Sequence, residues 1–123
     1  WVRCAEACIA AVGAAIDFIR PGVTSHDADT VARSVMHEHG FGENYLNRLG
    51  YSLGVAYAPD WGEGEVMDLK QGDERVLKAG MVFHMPPMNL KWREYGIGFS
   101  ETIVVTEDGC ESMSGLPREY VIK

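Results

Sequence analysis

The spacing of apolar residues near the start of the chain predicts two helices. In residues 4–19 apolar side chains recur at steps of three and four, which places them on one face of a helix. Pro21 cannot continue that helix, and Gly22 accepts the turn that follows, so the helix ends there. The second predicted helix covers residues 25–39 and begins after Thr24, a favourable N-cap residue.

After Gly40 the pattern changes to alternation between neighbouring residues, which is typical of strands. Residues 53–58 alternate bulky with small side chains and predict a strand with one small face. Further strands are predicted at 81–85, over 97–105 and near 120–122. Two helices followed by a mainly antiparallel sheet indicate an α+β fold.

Composition and charge narrow the range of partners. The chain has 123 residues, 46% apolar and 24% charged, so we expect a single domain with a modest core. The net charge is −7 and no basic stripe is present, which argues against nucleic acid or an anionic membrane surface as a partner. No apolar run is long enough to span a membrane and no signal peptide is visible, so a cytoplasmic location is expected.

The cysteines predict neither disulfides nor a zinc site. Cys4, Cys8 and Cys110 do not form a disulfide framework. Cys4 and Cys8 lie four residues apart on the first predicted helix, and together with the histidines they match no zinc-ligand spacing. We therefore expect reduced thiols that are buried or half-buried, as is usual in the cytoplasm.

The stretch 47–61 is the most informative segment of the chain. Gly50 and Gly54 flank Tyr51 and Ser52, and the predicted strand that follows has a small face. A small face on a strand often allows another backbone or a ligand to approach closely. An ordinary strand with a tight entry is the alternative interpretation.

Four segments, taken in order, resemble a known catalytic domain. They are Arg-Pro-Gly-Val-Thr at 20–24, the stretch 47–61, Leu-Lys-Ala-Gly-Met-Val-Phe at 77–83 and Glu-Thr-Ile-Val-Val-Thr-Glu-Asp-Gly at 101–109. The ordered set resembles the C-terminal half of the pita-bread domain in a superfamily that includes aminopeptidase P, prolidase, methionine aminopeptidase and creatinase. Within that superfamily, residues 50–54 and 59–63 are most similar to ectoine hydrolases.

This resemblance implies an architecture. It predicts half of a pita-bread domain, in which two N-terminal helices pack on a mainly antiparallel curved sheet, as a single partial domain over residues 1–123. The other half is then expected from a longer parent chain or from a partner, unless it has been lost. A second copy of the chain, in a homo-oligomer, would cover the sheet edge that half a domain leaves open.

The departures from the superfamily pattern concern its metal site. Metal-dependent members carry His-x-x-Gly-His-Gly-x-Gly where residues 47–54 read Asn-Arg-Leu-Gly-Tyr-Ser-Leu-Gly. Tyr51 thus takes the place of a metal-binding histidine and Asn47 that of the histidine before it, while two metal-binding glutamates correspond to Pro86 and Ser100. Hard divalent cations require carboxylate or imidazole ligands, so the resemblance implies neither a dinuclear metal centre nor another cofactor.

The remaining polar residues suit a metal-free reaction. Hydrolysis of an amidine or amide without metal needs a proton shuttle and carboxylates that hold a cationic substrate. The predicted catalytic residues are His84, Glu101 and Tyr51. The predicted substrate-binding residues are Asn47, Asp60, Trp61 and Trp92, with Glu63 and Glu94 as further acidic candidates.

Each of these candidates also has a structural interpretation. By alternation His84 points away from its apolar neighbours, and it is either a base or a satisfied structural histidine. Glu101 is either a substrate ligand or a structural acid paired with Arg48 or Arg93. Tyr51 is either a hydrogen-bond donor to substrate or a core aromatic with a solvated hydroxyl, and the tryptophans either stack on an organic cation or pack a lid.

The predicted function is that of the C-terminal half of a metal-independent, creatinase- or ectoine-hydrolase-like hydrolase, which cleaves a C–N bond of a small amidine or amide. The alternative is a non-catalytic half-domain that serves assembly or binding, because the neutral Asn47 cannot transfer protons. A metal-dependent Xaa-Pro dipeptidase or aminopeptidase is a third possibility, disfavoured by the replaced ligands. The expected partners are a small-molecule substrate and the missing half-domain or a second copy.

Overall fold

Two helices begin the fold in a computed structural model that describes residues 1–55 and 66–121. Helix α2 (Ser25–Glu38) begins after Thr24, whose hydroxyl accepts a hydrogen bond from the Asp27 amide at 3.0 Å. Helix α1 (Val2–Phe18) buries a face of mostly small side chains, made of Cys4, Ala7, Cys8, Ala11, Val12 and Ala15. Both helices agree with the predicted ones to within two residues.

The end of α2 is capped by a glycine and a histidine side chain. Gly40 takes a positive φ of 83°, a conformation that glycine adopts without strain. The ring of His39 lies 2.8 Å from the Val35 carbonyl oxygen, as expected of a capping side chain in the last turn.

The three thiols are free. Cys4 and Cys8 are buried and Cys110 is half-buried. Burial raises the pKa of Cys8 to about 12 and that of Cys110 to about 11, so both thiols are protonated at neutral pH.

A sheet and a separate hairpin follow the helices. The strands in chain order are β1 (Gly50–Ser52), β2 (Asp68–Leu69), β3 (Val82–Met85), β4 (Met88–Lys91), β5 (Tyr95–Gly98), β6 (Glu101–Val105) and β7 (Cys110–Ser112). Five of them form an antiparallel sheet in the order β2-β1-β3-β6-β7, while β4 and β5 pair with each other. The α+β prediction with a mainly antiparallel sheet is therefore confirmed.

The prediction of one strand over 97–105 was wrong. The chain leaves the hairpin at Gly98 and enters the main sheet at Glu101, so two strands in two different sheets replace the single one. Alternation runs unbroken through this region, and it carries no information about which strand a given residue pairs with. The buried Asn89 holds the hairpin to the segment after α2, because its amide donates to the Phe41 carbonyl at 2.6 Å.

Two other strand predictions need correction. The strand expected at 53–58 lies earlier, at β1, and Leu53 and Val55 are 39% and 87% exposed; residues 56–58 lie outside the described ranges. No strand includes Tyr120 or Val121, residue 122 lies outside the described ranges, and the last described strand is β7. The strands β2, β4 and β7 had no predicted counterpart; the two residues of β2 and the three of β7 are too few to show a period.

The main sheet has one buried face and one open face. Phe83, Met85, Ile103 and Val105 belong to the core, together with the inner faces of both helices. The residues that alternate with them along β3 and β6 point the other way and are partly exposed. This open face carries the candidate site. No helix within the described ranges is both long and apolar enough to cross a lipid bilayer.

Candidate functional site

Three side chains form a row across the open face of the sheet. Tyr51 on β1 lies opposite His84 on β3, and His84 lies opposite Thr102 on β6. The rings of Tyr51 and His84 are tilted at 59° with their centroids 5.4 Å apart. On the other side, His84 Nδ1 lies 3.2 Å from Thr102 Oγ1, within hydrogen-bond distance. His84 thus points away from Phe83 and Met85, as alternation predicts.

The surroundings of His84 favour its neutral imidazole form. Partial burial lowers its pKa below 6.5, and the negative charge of Glu101 acts in the opposite direction. When Nδ1 carries the proton and donates it to Thr102 Oγ1, Nε2 keeps a lone pair. A histidine in this state can accept a proton from a nucleophile at neutral pH.

Glu101 is buried and hydrogen-bonded rather than paired with an arginine. Its side chain is only slightly exposed, and it accepts hydrogen bonds from the Thr102 amide and the Ser114 hydroxyl, both at 3.0 Å. Neither Arg48 nor Arg93 forms an ion pair with it among the described residues, and Arg48 pairs with Asp68 instead, so the alternative of a structural acid paired with one of these arginines is not supported. Its Cα lies opposite Met85, at the start of β6.

A cleft of about 530 Å³ adjoins one end of the row. We call it the acidic cleft, defined by His84, Ser100, Glu101, Ser114 and Glu119. The structure therefore brings two of the predicted catalytic residues, His84 and Glu101, into one cavity. The third, Tyr51, is connected to that cavity by the contact between its ring and that of His84.

A second cleft, of about 560 Å³, lies on the Tyr51 side of the row. We call it the basic cleft, defined by Arg33, Asn47, Arg48, Tyr51, Asp68 and Lys70. Asp68 is the one carboxylate among the described lining residues; its Oδ1 lies 2.9 Å from Arg48 Nε and its Oδ2 lies 3.2 Å from Lys70 Nζ. The Arg48–Asp68 contact is an ion pair outside hydrogen-bond geometry, because Asp68 Oδ1 accepts no hydrogen bond from any described residue.

The segment that carries Asn47 is fixed by a buried network that the sequence did not reveal. Arg33 donates to the carbonyl oxygens of Tyr45 and Asn47, at 3.0 and 2.8 Å. Asp29, which is fully buried on α2, binds Arg33 Nε and accepts a hydrogen bond from the Leu49 amide. The sequence carried one signal of this network, the position of Asp29 beside the apolar stripe of α2. A carboxylate buried at such a position is costly unless it is paired.

Of the three other predicted binding residues, the structure describes only Trp92, and Trp92 is not brought to this site. Trp92 lies at the tip of the β4–β5 hairpin, 88% exposed, and lines neither the acidic nor the basic cleft. Asp60 and Trp61 lie outside the described residues. The predicted stacking of Trp92 on an organic cation therefore has no support from either cleft.

The donor set of the described residues does not fit a dinuclear metal centre. Tyr51, Pro86 and Ser100 occupy the positions that correspond to metal ligands, and none of them is a carboxylate or an imidazole. The basic cleft beside Tyr51 presents Arg33, Arg48 and Lys70, which repel a divalent cation. Within the part of the chain that the structure describes, no three His, Cys, Asp or Glu side chains converge.

Comparison with known proteins agrees with the predicted resemblance. The ectoine hydrolase of Halomonas elongata is 33% identical over 123 residues, which is the whole of this chain and 30% of that protein. The Xaa-Pro dipeptidase of Pyrococcus furiosus is 29% identical over 107 residues, which is 87% of this chain and 29% of that protein. The chain thus spans less than a third of the length of these relatives.

Solved structures and a family model identify the fold and the family. The crystal structure of the dipeptidase PepE from Mycobacterium ulcerans superposes with a TM-score of 0.85 and 31% identity, covering 96% of this chain and 30% of that one. The prolidase from Pyrococcus furiosus superposes with a TM-score of 0.83 and 27% identity, over 93% of this chain and 32% of that one. The sequence model of metallopeptidase family M24 matches residues 2–107. The chain therefore belongs to metallopeptidase family M24.

Proposed function

We propose that this chain forms part of the active site of a hydrolase that cleaves a C–N bond in a small amidine or amide without a dinuclear metal centre. One observation carries the proposal: His84 lies between the Tyr51 ring and the Thr102 hydroxyl on the open face of the sheet. The similarity to the ectoine hydrolase of Halomonas elongata supports the reaction class. The replaced ligands Tyr51, Pro86 and Ser100 support the absence of the metal.

In the proposed mechanism His84 is the general base. Nδ1–H donates to Thr102 Oγ1, and Nε2 accepts a proton from the water that attacks the amidine or amide carbon. The imidazolium then returns this proton to the leaving nitrogen. Tyr51 donates a hydrogen bond to the tetrahedral intermediate, and the negative charge of the buried Glu101 stabilises the cationic imidazole.

A second candidate function is a binding or assembly module without turnover. The observation that favours it is Asn47, a neutral amide at the place that corresponds to the first histidine of the metal-dependent members. Such a module would bind the same class of small molecule in the clefts beside Tyr51 and leave it intact.

The native-length protein that carries residues 1–123 tests the proposal. After exhaustive treatment with a chelator, it is incubated with ectoine, and separately with the dipeptide Ala-Pro in the presence of manganese. We expect loss of ectoine without added metal, abolished in His84→Ala and retained in His39→Ala, a matched change of an exposed capping histidine. Manganese-dependent cleavage of Ala-Pro with no effect on ectoine would overturn the proposal, and binding of ectoine without cleavage would establish the second candidate.

A further inference from the structure

We infer that Ser114 is a positioning residue, whose hydroxyl holds the Glu101 carboxylate in place beside the proposed general base, His84. Ser114 lies outside the sheet, in the segment 113–119 that follows β7; we call this segment the strap. The inference deepens the proposed function and rests on it, because it names a residue that acts on the same site through a neighbour.

The strap forms part of the wall of the acidic cleft. The residues of the strap that line this cleft are Met113, Ser114, Leu116, Pro117 and Glu119. The strap is attached to β6 where it begins, because the Met113 amide donates to the Thr102 carbonyl at 2.8 Å. This backbone hydrogen bond places the next residue, Ser114, beside the start of β6, where Glu101 lies.

A continuous chain of contacts joins Ser114 to the imidazole. The Ser114 hydroxyl donates to Glu101 Oε2 at 3.0 Å, and the Thr102 amide donates to Glu101 Oε1, also at 3.0 Å. The side chain of Thr102 in turn lies against His84, with 3.2 Å between Oγ1 and Nδ1. One carboxylate oxygen of Glu101 is therefore held by the strap, and the other by the residue that contacts the imidazole.

The buried charge of Glu101 depends on these two donors for its position. Glu101 is 4% exposed and forms no ion pair among the described residues, so two hydrogen bonds take the place of a cation. The other titratable side chains that the structure describes beside His84 are Tyr51 on β1 and Glu119 on the strap, and both are more exposed. A buried charge is screened less by water than an exposed one, so a displacement of Glu101 alters the field at His84 most.

In the proposed mechanism this charge matters while His84 carries the additional proton. A neutral imidazole gains little from a nearby carboxylate, whereas the imidazolium that forms during the reaction is stabilised by it. An interaction made only in the transition state changes kcat and leaves KM unchanged. Ser114 should therefore influence the rate of hydrolysis and not the affinity for the substrate.

The first test measures kcat and KM for ectoine with the native-length protein. We expect Ser114→Ala to lower kcat about tenfold at unchanged KM, and Ser114→Thr, which keeps the hydroxyl, to restore it. Ser112→Ala is the matched control, because the Ser112 hydroxyl donates to the Ser114 carbonyl, at 3.2 Å, and not to Glu101. Ser114→Ala added to Glu101→Gln should lower kcat no further. An equal loss in that background, or in the control, would overturn the inference.

The second test needs no turnover of substrate. Nuclear magnetic resonance at neutral pH follows hydrogen exchange of the Thr102 amide and the ring-proton resonances of His84, assigned by their loss in His84→Gln. We expect Ser114→Ala to accelerate this exchange about tenfold and to shift the His84 resonances. Both effects should be reversed in Ser114→Thr and absent in Ser112→Ala.

The two tests separate the inference from the proposed function. If Ser114→Ala produces both spectroscopic effects although the wild-type protein does not hydrolyse ectoine, Ser114 positions these groups and the proposed reaction is wrong. If the His84 resonances do not move, the inference is wrong, even where ectoine is hydrolysed.

Discussion

The carboxylate of Asp29 accepts a hydrogen bond of 2.7 Å from the backbone amide of Leu49, which joins the buried side of α2 to the segment before β1. The same side chain binds Arg33, whose guanidinium donates to the Tyr45 and Asn47 carbonyls. One buried acid thus determines where the segment enters the sheet. The position of Tyr51 in the row depends on a helix residue more than twenty positions away.

Replacement of Asp29 should therefore destabilise the fold strongly. Asp29→Ala removes the partner of a half-buried guanidinium and of a buried amide, so we expect a loss of about 3–5 kcal/mol in the free energy of unfolding. Urea denaturation of the native-length protein measures it. Glu38→Gln, an exposed acid at the end of the same helix, should change stability by less than about 0.5 kcal/mol. A loss for Asp29→Ala as small as that of the control would show that the network is dispensable.

His84 should make stability depend on pH below neutrality. Because burial lowers its folded-state pKa below 6.5, the unfolded chain binds the proton more tightly than the folded one. The contribution of His84 is therefore fully present above pH 6.5 and is lost as the pH falls from there toward the folded-state pKa. Urea denaturation of wild type and His84→Gln should give a constant difference above this window and a changing one within it. A difference that is independent of pH would contradict the lowered pKa.

Glu101 should influence the titration of His84. Its negative charge raises the pKa of His84 against the effect of burial, so Glu101→Gln should lower that pKa further. Nuclear magnetic resonance titration of the His84 ring protons measures this shift. The free energy of unfolding of the variant should also fall by about 1 kcal/mol. Gln has one side-chain oxygen, so it can accept from the Thr102 amide or the Ser114 hydroxyl but loses the other hydrogen bond. Glu107→Gln, which changes an exposed acid beyond β6, is the control. An unchanged pKa of His84 in Glu101→Gln would show that the charge of Glu101 does not act on His84.

The native protein should hold no stoichiometric catalytic metal. The motivation is the chemistry of Tyr51, Pro86 and Ser100 at the positions that correspond to ligands. Elemental analysis of the purified native-length protein should find substoichiometric manganese, cobalt and zinc. One or two tightly held ions per chain, lost on Glu101→Ala, would contradict this expectation.

Self-association is a further expectation. The main sheet ends on one side in the three-residue β7 and on the other in the two-residue β2, and no other strand of the described residues pairs with either edge. Large apolar side chains are also exposed on the hairpin and beside it, including Trp92 at 88% and Leu46 at 73%. Light scattering should give a mass above that of one chain at micromolar concentration. A monomer mass that does not change with concentration would exclude a homo-oligomer.

Local patterns in the sequence determined the helices and the class of the fold. Periodicity at α1 and α2, the Thr24 cap and the Gly40 terminus depend on neighbours within one or two turns, and they could be read without knowledge of the rest of the chain. The strand at β3 and the outward direction of His84 followed from alternation in the same way. The resemblance to the family depended on short segments whose order the sequence shows directly.

Only the tertiary structure determined which residues from distant parts of the chain are in contact. Alternation could not show that 97–105 belongs to two sheets, nor that Tyr51 lies against His84, because strand pairing joins residues far apart in the chain. The hydrogen bond of Asp29 to Leu49 and the convergence of Arg48 and Lys70 on Asp68 arose in the same way. Charge and burial depend on the folded surroundings, so the sequence could not show that basic side chains line the cleft beside Tyr51 while acidic ones line the cleft beside His84.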